Sequence, residues 1–149
     1  RLTLQVVSSA DHGLISAQLV DRGTAKRLTP SPVIINRGGL PLGYHWASDD
    51  LREFQLQKTP TDYQVISRGH INLQNRHSAR QTDELFAGQL VTVAFDLQPL
   101  FHQLTAGHQL ELIIYATDYA FTLRGNENIS YRLPVAKAKL TIPGRQLLD

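Results

Sequence analysis

The chain contains no cysteine and no methionine among its 149 residues. The absence of cysteine excludes disulfide bonds and metal sites built on thiolates. It also fits a reducing cytoplasm, where proteins rarely contain disulfide bonds. Because the chain starts at Arg1 and has no methionine, we expect it to be a piece of a longer protein.

Long apolar runs and concentrated charge are also missing. No run approaches the roughly 18 apolar residues of a transmembrane helix, and residues 1–7 lack the basic and apolar regions of a signal peptide. The net charge is +2, from 15 Lys and Arg against 13 Asp and Glu, and the basic residues are scattered. Nucleic-acid binding needs a concentrated basic patch. We therefore expect neither a membrane nor a nucleic acid as a partner.

The sequence lacks the common signatures of catalysis. No serine has a glycine two positions before it, which excludes the Gly-x-Ser-x-Gly turn of serine hydrolases. The phosphate-binding P-loop and the Gly-x-Gly-x-x-Gly fingerprint are missing as well. The six histidines show no His-x-His or His-x-x-x-His spacing, so we expect loop histidines with ordinary hydrogen bonds. We predict no catalytic residue, no metal and no cofactor in this chain.

Apolar side chains alternate with mainly polar ones over 14–21, 89–97 and 129–135. Such alternation predicts strands with one buried face. The run 110–116 is almost continuously apolar, which predicts a central strand covered on both faces. Further strands are predicted at 2–7, 33–36, 63–73 and 138–142, for a total of about eight.

The connections between these strands are polar or rich in glycine and proline. Three prolines make 28–43 an edge strand or a loop, because proline cannot donate to a sheet ladder. We predict one helical turn at 48–54, where Ser48 or Asp49 could cap it, and another short turn at 99–105. The polar stretch 74–88 is predicted to be an exposed excursion.

Many short strands with very little helix predict an all-β fold. The long connections 37–62 and 74–88 suit crossovers between two sheets better than hairpins. We therefore expect a jelly-roll-like antiparallel β-sandwich, similar to galactose-binding domains, with residues 1–149 forming a single domain.

One aromatic pair is a candidate contact site. Tyr44 and Trp46 flank His45, and residues two apart in an extended segment point the same way. Such a pair could stack on a sugar, so a carbohydrate-binding module is the alternative function, and a structural or adhesion domain is a third. The interpretation that we favour places Trp46 in the core or at an interface with a neighbouring domain.

A second candidate cluster is formed by Asp118, Arg124 and Asn126, around the turn after the strand at 110–116. A carboxylate and a guanidinium could pair there and satisfy the backbone groups of the loop. We interpret this cluster as structural.

Several segments resemble one known family. Residues 106–118 contain Gly-His-Gln-Leu-Glu-Leu and end in Thr-Asp. They are similar to the Gly-His-x-Leu-x-Leu strand of the C-terminal domain in the X-prolyl dipeptidyl peptidase and cocaine-esterase family. The segment 14–21 resembles the second strand of the same family. The X-prolyl branch is favoured by further similar segments at 43–46, 49–51, 69–76, 97–99 and 123–126, so the resemblance covers roughly residues 2–143.

The resemblance implies a specific role. X-prolyl dipeptidyl aminopeptidases are serine peptidases that release X-Pro dipeptides, and they are typically cytoplasmic homodimers. Their Ser-Asp-His triad lies in an α/β-hydrolase domain, whereas the matching C-terminal region is a jelly roll without catalytic residues. The chain is then expected to be a non-catalytic accessory domain. Its partner would be the catalytic α/β-hydrolase domain of the same polypeptide, and Tyr44 and Trp46 are candidates for that contact.

Overall fold

The computed structural model describes residues 1–34, 52–118, 120–123 and 128–144. Over these ranges the chain is all-β, as predicted, with short 3-10 turns at Leu73–Asn75 and Val135–Lys137. None of its described helical segments is long and apolar enough to cross a membrane. The strands are β1 (Leu2–Ser8), β2 (Leu14–Ala25), β3 (Leu28–Ile34), β4 (Arg52–Leu56), β5 (Thr61–Asn72), β6 (Leu90–Phe95), β7 (Gln109–Tyr115), β8 (Tyr131–Arg132) and β9 (Lys139–Leu140).

The strands form three sheets. In the first sheet β1 lies between β6 and β8, β9 also pairs with β1, and all three pairings are antiparallel. In the second sheet β2 lies between β5 and β7. The third sheet is an antiparallel ribbon of β3 and β4 alone.

One hydrophobic core lies between the first two sheets. Side chains of β1 and β6 meet Ile15 and Ala17 of β2, and partly buried residues of β5 and β7 pack against the same cluster. The predicted alternation is confirmed in β6, where Val91, Val93 and Phe95 are buried while Leu90 is exposed. This arrangement is the predicted β-sandwich.

The contacts divide the chain into two compact units. The larger consists of Arg1–Val20, Val65–Gln103 and Leu110–Asp149, and it contains the hydrophobic core. The smaller consists of Asp21–Gln64 and Leu104–Gln109, and it contains the β3–β4 ribbon.

The prediction of a central strand at 110–116 was wrong. Among the described strands β7 is at one end of its sheet, and it has no fully buried residue. The middle strand is β2, whose residues Ile15–Ala17 and Leu19–Asp21 are buried on both faces. An apolar run indicates hydrophobicity but not the number of neighbouring strands, so the sequence did not distinguish a strand in the middle of the sheet from one at its end.

The local predictions for the connections need three corrections. Arg52–Phe54, the end of the helical turn predicted at 48–54, belongs to strand β4, because pairing with β3 outweighs the local capping signal. Residues 48–51 lie outside the described ranges. No turn forms at 99–105; the turn is at Ala106-Gly107, where Gly107 has a φ of 83°. The stretch 74–88 is not wholly exposed, since Leu85 is buried in the core.

The core makes a direct stability prediction. Leu4 of β1 is fully buried among core side chains, so Leu4→Ala should lower the free energy of unfolding by about 2–5 kcal/mol. Leu90→Ala removes the same atoms from an exposed position on the neighbouring strand and should change it by less than about 1 kcal/mol. Urea denaturation followed by circular dichroism measures both. Equal losses in the two variants would contradict this core.

Candidate functional site

A buried carboxylate, Asp21, is the centre of a polar cluster in the smaller unit. Asp21 is only 1% exposed. One carboxylate oxygen lies 2.8 Å from Nδ1 of His108, and the other accepts a hydrogen bond of 3.3 Å from Nη1 of Arg27. The side chains of Asp21 and Arg27 are buried, and that of His108 is 9% exposed. A buried carboxylate is tolerated only when it is paired and hydrogen-bonded, and both conditions are met here.

The Arg27 guanidinium is bound on all sides. Its Nε donates to the hydroxyl of Thr61 and its Nη1 also donates to Oε1 of Gln64, each over 3.2 Å. Its Nη2 donates to the backbone carbonyl oxygens of Gly23 and Asp21, over 2.5 and 3.4 Å. The guanidinium is therefore held by internal partners and is not presented to a substrate.

Two glycines make the position of His108 possible. The backbone N–H of His108 donates to the carbonyl of Thr105 over 3.0 Å, which closes a turn through Gly107 with its positive φ. The imidazole ring lies directly against Gly23, where an added Cβ would collide with three ring atoms. His108 lies in the loop before β7 and is hydrogen-bonded, as predicted for the histidines, and its carboxylate partner is the buried Asp21. His12 and His77 pair in the same way with Asp11 and Asp83.

A hydrogen-bonded Asp–His pair is also part of many catalytic sites, where the carboxylate orients the imidazole as a base. In this cluster the His108 and Asp21 side chains are only 9% and 2% exposed, and the Asp21 carboxylate is shared with Arg27. A general base must reach the proton that it removes, so this pair is suited to holding structure together. No group of three or more metal-ligating side chains occurs in the described part of the chain.

A second carboxylate, Asp118, organises the turn after β7 in the larger unit. The hydroxyl of Tyr115 donates to Oδ2 of Asp118 over 2.6 Å, and the backbone N–H of Ala120 donates to Oδ1 over 3.2 Å. The Asp118 carbonyl oxygen accepts from the hydroxyl of Thr122 over 2.9 Å. Gln18 in turn donates to the Tyr115 oxygen over 2.9 Å. These bonds close the turn from within, as in other Asp-initiated turns.

The charges of this cluster are consistent with its geometry. The hydrogen bond from Tyr115 lowers the pKa of Asp118, against the opposing effect of desolvation, and the Arg68 charge 3.8 Å away also lowers it. Burial and the hydrogen bond to Asp118 raise the pKa of the Tyr115 hydroxyl. At neutral pH the phenol therefore keeps its proton and the carboxylate stays ionised.

A shallow groove lies beside Asp118. Its volume is about 240 Å³, and its lining includes Arg68, His70, Asp96, Gln98, Asp118 and Phe121. The Arg68 guanidinium lies over the Phe121 ring, 4.8 Å from its centre. The volume is below the range of about 300–1,000 Å³ that is usual for small-molecule sites. The Arg68 charge faces the Asp118 carboxylate, so these two lining groups are paired with each other.

The predicted site residues are only partly described. Asp118 lies in a structural turn, with Tyr115 and Arg68 as partners that the sequence interpretation missed. Arg124 and Asn126 of the predicted turn cluster lie outside the described residues. So do Tyr44 and Trp46, the predicted contact pair.

The Asp21 cluster was missed entirely, although one signal for Asp21 was present. Asp21 continues the alternating buried set of Ile15, Ala17 and Leu19, which predicts a side chain on the covered face. A carboxylate at such a position requires a cationic partner.

The chain is similar to known proteins over nearly its whole length. Residues 1–146 match the family described as the X-Pro dipeptidyl-peptidase C-terminal non-catalytic domain. The chain is 48% identical over 143 residues to a Xaa-Pro dipeptidyl-peptidase of Ligilactobacillus salivarius, covering 96% of the chain but 18% of that protein. The same enzyme of Pediococcus pentosaceus is 46% identical over 95% of the chain and 17% of its own length. The Xaa-Pro dipeptidyl-peptidase of Lactiplantibacillus plantarum is 42% identical over 97% of the chain and 18% of its own length.

Replacing Asp118 with asparagine tests the structural role of the turn. Because the folded-state pKa of Asp118 is lowered, its ionised form contributes stability above the unfolded-state pKa of about 3.9. That contribution is lost as the pH falls through the folded-state pKa. We expect Asp118→Asn to melt at a lower temperature than the parent at pH 7, and the difference to shrink in acid. Thermal unfolding from pH 7 to pH 3 measures this; an unchanged melting temperature at pH 7 would remove the support for a structural role.

Proposed function

Because the chain belongs to the X-Pro dipeptidyl-peptidase C-terminal non-catalytic domain family, we propose that residues 1–149 form one accessory domain of an X-prolyl dipeptidyl aminopeptidase. The whole enzyme would release X-Pro dipeptides from peptide N-termini with a Ser-Asp-His triad placed elsewhere in the polypeptide. The chain spans less than a fifth of the length of the curated relatives that it matches. The accessory domain would pack on the α/β-hydrolase domain and help to shape the substrate entrance.

The observation that carries this proposal is the closed state of both polar clusters. Asp21 is buried and is paired with both Arg27 and His108, and Asp118 is bound by groups of its own turn. Neither cluster combines an accessible nucleophile with a base, which acyl-transfer chemistry requires. A packing role needs no such group.

Exposed apolar side chains support a role in packing. Large apolar side chains that are exposed together mark surfaces for protein contacts more often than single exposed residues do. Ten large hydrophobic side chains of the described residues are each more than half exposed: Leu28, Phe54, Leu56, Tyr63, Phe86, Leu90, Phe101, Phe121, Leu123 and Val135. A domain that packs on a neighbour can retain such side chains because the neighbour covers some of them.

Three finer features belong to the same proposal. Tyr44 and Trp46 are proposed contacts with the hydrolase domain, since aromatic residues are enriched at the centres of interfaces. The whole enzyme is proposed to be a cytoplasmic homodimer. The support for the dimer and for its location is the resemblance to X-prolyl peptidases, together with the cysteine-free composition.

Association in trans tests the packing role. The chain is mixed with the catalytic portion of an X-prolyl peptidase that lacks this domain, and complex formation and cleavage of an X-Pro anilide are followed. We expect a stable complex. Trp46→Ala should weaken it by at least about tenfold while the circular dichroism spectrum stays that of a folded β protein.

The controls separate the possible failures. A Trp46→Ala variant that is unfolded would place Trp46 in the core instead of the interface. If the parent chain does not bind and the catalytic portion is already fully active without it, the packing role is wrong. Retention of the chain on a polysaccharide would then favour the carbohydrate-binding alternative.

A further inference from the structure

The β3–β4 ribbon of the smaller unit has one apolar face. Leu28 of β3 is directly opposite Leu56 of β4, and directly paired residues share a face of a sheet. Phe54 lies two residues before Leu56 and therefore points to the same side. The three side chains form the ribbon face, and they are 62%, 65% and 63% exposed for Leu28, Phe54 and Leu56 respectively.

The opposite face of the ribbon is polar. Thr29 pairs with Gln55 between the apolar positions. Alternation over residues 28–29 and 54–56 is typical of strands that pack one face on a hydrophobic partner. A ribbon of two strands is marginally stable in water unless something covers its apolar face. Among the residues that the structure describes, the face stays largely open to solvent.

Positive charge borders one end of this face. The backbone N–H of Gln57 donates to the carbonyl of Arg27 over 2.9 Å, which extends the pairing beyond Leu28 and Leu56. Lys26 and Lys58 follow next in the sequence beyond this pair, outside the two strands, and both are exposed. A partner that fits this surface would be apolar at its centre and acidic along one side.

We propose that the ribbon face is the surface through which this chain docks on the catalytic α/β-hydrolase domain of the same polypeptide. This inference rests on the proposed function. Under that proposal most of the polypeptide lies outside the 149 residues, since the chain spans 18% of a relative such as the enzyme of Ligilactobacillus salivarius. A partner in the same polypeptide is present at a high effective concentration, so a small apolar face is sufficient to bind it.

Hydroxyl-radical footprinting of the full-length peptidase tests the docking surface. The modification rates of Phe54 and Leu56 are measured by mass spectrometry and normalised to the same residues in the unfolded protein. Phe101, which is 103% exposed, is the internal reference. Phe54 is 65% exposed and Phe101 is 103% exposed. If the ribbon face were open, Phe54 would therefore be modified less than twofold more slowly than Phe101. A docked face should slow it by about fivefold or more, because interface centres exclude water.

The remaining outcomes distinguish this inference from the proposed function. If Phe54 and Leu56 react as open residues while Phe101 or Val135 is protected, the domain docks through another surface and only this inference is overturned. If all four react as open residues, the packing role fails as well. Protection of Phe54 that disappears on dilution to the monomer would assign the ribbon face to a second copy and overturn the inference.

Discussion

The buried charge of Asp21 is the constraint on which the local order of the smaller unit depends. Taking a carboxylate out of water costs several kcal/mol unless cationic and hydrogen-bonding partners surround it. The partners are Arg27 and His108, and each imposes a further requirement. Arg27 must be met by further acceptors, which Thr61 and Gln64 of strand β5 provide. His108 must approach the backbone at a position without a side chain, and Gly23 provides it.

The segments that resemble the X-prolyl peptidase family are the ones that carry these carboxylates. The segment 14–21 ends at Asp21, and the segment 106–118 contains His108 and ends at Asp118. Both carboxylates bind groups within the chain and hold turns or strands in place. The similarity of these segments to the family therefore reflects residues that stabilise the fold. A hydrogen-bonded histidine and aspartate can suggest catalysis, but here His108 and Asp21 have a structural role. This agrees with membership of a family described as non-catalytic.

Periodicity was sufficient to predict the all-β class, the positions of β1, β2 and β6, and the buried phase of β6. It failed where the answer depends on neighbours distant in sequence. The apolar run of β7 does not show that β2 occupies the middle of the sheet. The capping signal near 48–54 does not show that β4 pairs with β3. Asp21 was detectable from its phase, whereas its partners Arg27 and His108 become visible only in the folded chain.

The most direct test of the role of Asp21 is a double-mutant cycle with Asp21→Asn and Arg27→Met, measured by urea denaturation. Either single substitution leaves a buried group without its partner and should cost about 3–5 kcal/mol. The double variant removes both groups, so its loss should be smaller than the sum of the single losses by at least about 1 kcal/mol. If the two losses add to within about 0.5 kcal/mol, the pair is not coupled and the central role of Asp21 is contradicted.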